Sequence, residues 1–189
     1  HVPVLEAAHD VHDRVHLADV REEAVSEALA AARALDEPRD VEELERRGFE
    51  VGLHGLTHDG TLYHSNREFL QQATRINQVL KDWKVVGFRS PCMYHNLKWL
   101  HALDLEYDSS TFDTDPFEPQ PDGIESIFPL YISNNSGGKG YVELPYTLPQ
   151  DFTLFILMRD KSIDTWKRKL DWIAENGGLA LLITHPDYM

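Results

Sequence analysis

The chain has 189 residues, 32 Asp and Glu against 18 Lys and Arg, a formal net charge of −14, ten histidines and one cysteine. Its length suits one domain, and 42% hydrophobic residues are enough to bury a core, which excludes a disordered chain. The acidic balance argues against nucleic acid as a partner, the single Cys92 excludes a disulfide framework or a CxxC zinc knuckle, and no apolar run approaches a membrane span.

No basic-then-apolar leader opens the chain. Residues 1–19 read as irregular, with a short strand at Pro3–Ala8. Val20–Leu35 reads as a helix, with Val25, Leu29 and Ala32 on one face and Pro38 ending it. Val41–Arg47 is a second helix closed by Gly48, and Phe49–Leu53 a strand entering a loop. Ser65-Asn-Arg-Glu68 is a capping box, and the helix it opens carries Phe69, Ala73, Ile76 and Leu80 as one apolar stripe.

Val85–Phe88 is the next strand, Asn96–Leu103 a helix and Leu105–Tyr107 a strand. Asp108–Asn135 reads as one long loop, a length that is usually functional. Tyr141–Leu144 and Phe152–Leu157 are strand candidates. Ile163–Glu175 is a helix with Ile163, Trp166, Leu170 and Ile173 on one face, and Leu179–Ile183 a buried strand. Alternating strands and helices argue for an α/β domain with a mostly parallel sheet or barrel. A domain rarely ends just after a buried strand, so the chain reads as part of a longer protein, with segments missing at its ends or inside.

Three short patterns could carry chemistry. His54-Gly-Leu-Thr-His58 follows a strand; two histidines at this spacing fit one metal on a helical turn, or are two surface histidines in a loop. It lacks the glutamate of the H-E-x-x-H metalloproteases. Arg89-Ser-Pro91 sets a guanidinium at a strand end, suited to orienting a carboxylate or simply facing solvent. His185 directly follows the apolar Leu179–Ile183 run and Thr184, at the sheet edge where α/β sites gather; a capping role on a loop fits equally.

Their order joins them. Gly48-Phe-Glu-Val-Gly-Leu-His54 through His58, then Arg89-Ser-Pro91, then Ile183-Thr-His185 resembles the NodB-homology polysaccharide deacetylases, the metal-dependent carbohydrate esterases. The resemblance covers roughly residues 41–189 within one domain spanning 1–189, and looks like a divergent branch. It implies a distorted (β/α) barrel, incomplete in this chain. It also implies removal of N-acetyl or O-acetyl groups from a carbohydrate by a divalent metal, zinc first and cobalt, nickel or manganese otherwise. His54 and His58 would bind the metal, Arg89 would orient the base and His185 would act as general acid. The backbone at Cys92 would hold the oxyanion, Tyr94 would meet the sugar, and Asp113 and Asp115 would line the groove.

The family's first motif is a strand ending in two aspartates, a base and a metal ligand. Its upstream candidate is His9-Asp10-Val-His-Asp13, with Asp10 as base and Asp13 or His12 at the metal. No apolar strand of the ATFF type lies between Asp13 and His54, so either His9–Asp13 is a degenerate motif with an intervening strand absent from this chain, or the true motif precedes His1. Two other readings stand beside the first: a deacetylase-like carbohydrate-binding protein without turnover, and a related α/β amidohydrolase with a non-glycan substrate.

Overall fold

The computed structural model describes residues 38–113 and 123–185. The helix and strand expected before residue 38, the candidates Asp10 and Asp13, and Asp115 lie outside the described residues.

The first helix, α1 (Pro38–Arg46), starts at Pro38 rather than following it. A proline suits a first helical turn, where its missing N–H is not needed. Gly48 then reverses the chain with φ +88. Strand β1 (Gly52–Leu53) leads through a 3-10 turn, Thr61–Tyr63, into α2 (Asn66–Trp83). Strand β2 is Gly87–Phe88 and β3 Tyr107–Asp108, separated by 3-10 turns at Pro91–Met93 and Trp99–Ala102 rather than by a regular helix. Then come β4 (Leu130–Ile132), β5 (Tyr141–Glu143) and α3 (Asp164–Asn176).

The five strands form one sheet in the order β1-β2-β3-β5-β4. The first four positions run parallel, and β4 pairs antiparallel with β5. Among the described residues this sheet is open, an α/β half-barrel with its parallel strands ending on one side.

Local sequence explains α2 well. Ser65 caps it by accepting the Glu68 N–H at 3.2 Å, and the Ser65 hydroxyl reaches the Glu68 carboxylate at 2.9 Å. The Phe69, Ala73, Ile76 and Leu80 stripe is buried against Leu53, Val85, Phe88, Leu100 and Tyr141. Tyr63 and Trp99 stack on each other at 6.1 Å, and both contact Phe69. Phe69→Ala is expected to cost about 3–5 kcal/mol in chemical denaturation, because the surrounding rings cannot collapse into the gap.

Four further segments differ from the sequence expectation. Phe152–Leu157 is a wide helical turn, not a strand. A short apolar run cannot be told from a buried helix by periodicity, and here Asp151 accepts the Phe152 N–H and starts the turn. The Asp108–Asn135 loop is partly structured: Phe112 bridges Tyr146, and β4 lies inside it. On α3 the buried positions are Thr165 and Ile173, while Leu170 and Trp172 are exposed. Leu179–Ile183 forms no ladder strand and is mostly half-buried. It runs beside 147–151, with Leu181 O accepting from Thr147 N and Leu148 N.

Candidate active site

The parallel strands end on one side, and the residues that follow β1, β2 and β3 enter one cavity of about 680 Å³. The ladder continues past the strands: Arg89 N donates to Leu53 O and Ser109 N donates to Phe88 O, each at 3.0 Å. This places His54 after β1, Arg89 after β2 and Ser109 after β3 on one rim. His58, Cys92 and His185 line the same cavity, with Tyr107, Gln150 and Phe152.

His54 and His58 sit on a loop rather than a helical turn, yet their ring centroids are 5.2 Å apart. Gly55 makes this approach possible. Its φ is +75, and a Cβ there would lie 2.5 Å from Pro91 Cγ. Gly87 does the same beneath, where a Cβ would run into the Tyr107 ring that lines the cavity.

His54 Nδ1 lies 2.9 Å from Arg89 O. A carbonyl only accepts, so Nδ1 carries the hydrogen and Nε2 keeps its lone pair, the arrangement of a metal-ligating histidine. Burial lowers the His54 pKa below the usual histidine range, opposed by the Arg89 hydrogen bond, which favours the neutral ligand form. His58 Nδ1 lies 3.6 Å from Cys92 Sγ.

Arg89 anchors its Nε on Ser109 O at 3.0 Å and Nη2 on Ser109 Oγ at 3.1 Å. The guanidinium is thereby held against the cavity wall. Burial lowers it, while the Asp108 and Glu143 carboxyls oppose that shift.

His185 is tied by a residue that sequence reasoning missed. Asp151 accepts from His185 Nδ1 at 2.7 Å and also from the His185 backbone N–H. The carboxylate is fully enclosed while the imidazole is 44% exposed, so the ring faces the cavity with its back sealed. The turn bearing Asp151 is pinned from behind by the Trp166 indole N–H, which donates to Pro149 O at 2.5 Å.

Other candidates fall elsewhere. Tyr94 is exposed and lies beside Gly60, outside the cavity lining. Asp113 is buried and pairs with Lys169 at 2.8 Å, lining a separate hollow with Phe128 and Trp172. A near-buried ion pair of this kind accounts for Asp113 without a groove role.

The donor set fits part of a metal site. Two imidazoles converge, one with its tautomer fixed, whereas a catalytic zinc takes three protein ligands. No Asp or Glu lines the cavity among the described residues, and no cluster of three or more metal-ligating side chains occurs there.

No protein-family model matches the sequence, and no curated protein matches it. Solved structures do. A Mycobacterium smegmatis structure assigned as a polysaccharide deacetylase matches with TM-score 0.56 and 22% identity, over 82% of this chain and 55% of that one. A PuuE allantoinase matches with TM-score 0.54 and 17% identity, over 82% and 51%. A Pseudomonas aeruginosa PAO1 structure assigned as a polysaccharide deacetylase gives 0.53 and 16%, over the same shares. This chain has the fold of the polysaccharide deacetylases. It spans about half the length of the structures it matches. The expected deacetylase-type barrel, incomplete among the described residues, is therefore observed. Among those residues no helix is long and apolar enough to cross a membrane.

Proposed function

We propose that this chain carries the metal-dependent hydrolytic site of a deacetylase that removes acetyl groups from an N-acetylated carbohydrate. The observation that carries the reading is the meeting of His54, His58, Arg89 and His185 in one cavity at the strand ends of this fold. A divalent metal, zinc or else cobalt, nickel or manganese, held by His54 and His58 would supply a water of lowered pKa and polarise the acyl oxygen.

The chain's own groups supply the rest. The fixed His54 tautomer presents Nε2 to the metal, and Arg89 offers a planar cation to orient a carboxylate. The backbone N–H of Cys92 would receive the developing oxyanion. His185 would protonate the leaving amine, its Asp151 bond holding the ring and stabilising the imidazolium. The base and third ligand are assigned to Asp10 and Asp13, following the motif order of the sequence. The products are a free amino sugar and acetate.

A second reading, hydrolysis of a non-glycan amide, is favoured by the allantoinase likeness. One assay separates the two. Full-length protein with zinc or cobalt is given acetylated chitooligosaccharide and, separately, allantoin. Acetate release from the first supports the proposal; turnover of allantoin alone supports the second. Metal retention without turnover of either identifies a binding protein.

A further inference from the structure

We propose that Asp108 and Glu143 are a positioning pair that shares one proton beneath the cavity and, through Ser110 and Ser90, fixes the loop bearing Arg89 and Cys92. The catalytic consequence rests on the reading above; the shared proton does not.

Asp108 ends β3, Glu143 ends β5, and the two are register partners on adjacent parallel strands. Both are fully buried. Glu143 Oε1 accepts from Thr111 N at 3.0 Å and Thr111 Oγ1 at 2.5 Å. Glu143 Oε2 is buried and has no donor among the described residues, and Asp108 is its register neighbour across the parallel β3–β5 ladder. Two ionised carboxylates are acceptors only, and burial removes the water that would screen them. One proton turns that repulsion into an O–H···O bond. Burial and then the Glu143 carboxyl raise Asp108 well above the usual carboxylate range, in keeping with this geometry.

The charged and titratable groups facing the pair are Arg89 after β2, Tyr63 from the 3-10 turn and Tyr141 on β5. Burial pushes both tyrosines up, so they stay neutral, and Arg89 spends Nε and Nη2 on Ser109. No cation therefore takes the place of the proton.

The pair also orders a row of hydroxyls. Ser110 Oγ donates to Asp108 Oδ1 at 2.8 Å and Ser110 N donates to Oδ2 at 3.0 Å. Ser110 Oγ then accepts from Ser90 N at 2.8 Å and lies 2.9 Å from Ser90 Oγ, which is 2.6 Å from Tyr63 OH. With Asp108 accepting, each hydroxyl donates toward it. Ser90 directly follows Arg89, so this row sets where the Arg89–Cys92 loop leaves β2.

The sign of the pH effect follows. A carboxyl raised on folding means the native state binds the extra proton, so stability is full below the unfolded carboxylate range and falls as pH rises above it. Melting of the full chain is measured from about pH 5 to about pH 8. The wild type is expected to lose melting temperature across this range. Asp108→Asn, a neutral isostere that can donate to Glu143, is expected to flatten the slope, as is Glu143→Gln from the other side. An unchanged slope in either variant, or failure of both to fold, overturns the shared proton. Ser110→Ala is expected to keep the wild-type slope yet lower kcat about ten- to a hundredfold with KM little changed. Wild-type kcat in that variant overturns the positioning role. If no variant or wild type turns over any substrate, the functional reading fails, while the melting slopes still decide the pair.

Discussion

Alanine at His54 is expected to abolish metal retention and hydrolysis together, and alanine at His58 to do the same. The two rings lie 5.2 Å apart and lead into one cavity, so a single imidazole leaves too few donors for a divalent cation. Metal content after dialysis and acetate release are measured on the full-length variants. Both side chains sit on a loop at the cavity rim, so melting temperature is expected to change little beside the loss of function. Wild-type metal content and turnover in His54→Ala would refute the metal assignment.

Asp151→Asn is expected to lower kcat by about 10²- to 10⁴-fold while leaving metal content unchanged. The carboxylate holds His185 through both the ring and the backbone N–H. An amide retains the volume but has one acceptor oxygen for those donors, and its N–H₂ can bind the opposite tautomer. Asp151→Ala adds a structural loss of about 1–3 kcal/mol, since Phe152 N–H and His185 N–H then lose a buried acceptor. The asparagine variant therefore separates catalysis from folding: a stable Asp151→Asn protein with wild-type kcat would remove the general-acid assignment from His185.

What could be read from sequence was local. The Ser65 capping box and the Phe69, Ala73, Ile76 and Leu80 stripe are set by spacings of three and four residues, and the helix follows them. His54, His58, Arg89 and His185 were legible because each follows a strand or an extended segment, and chain order alone predicts one rim. Asp151 was hidden for two reasons. Its partner is 34 residues away, and the apolar Phe152–Leu157 run reads as a strand, which makes the preceding acid look like a surface residue. Asp108 and Glu143 were hidden in the same way, since acids are rarely buried without partners, and the Thr111 donors of Glu143 and the register pairing of the two acids come from separate segments of the chain. Residues 109–111 looked like loop because they are polar. They are buried because Ser109, Ser110 and Thr111 each find an acceptor or donor on a neighbouring segment.

The strand order carries one more consequence. Among the described residues β1 is bonded on one side only, to β2, and its free backbone edge lies next to the strand end that delivers His54. Any further parallel strand docking along that edge would discharge its last residues against the imidazole pair, about 4.8 Å from the line of β1. A strand added beyond β4, at the other border, would lie five strand positions from β1. Among the described residues, the β1 edge is thus the border at which a strand-borne carboxylate would meet the imidazole pair directly.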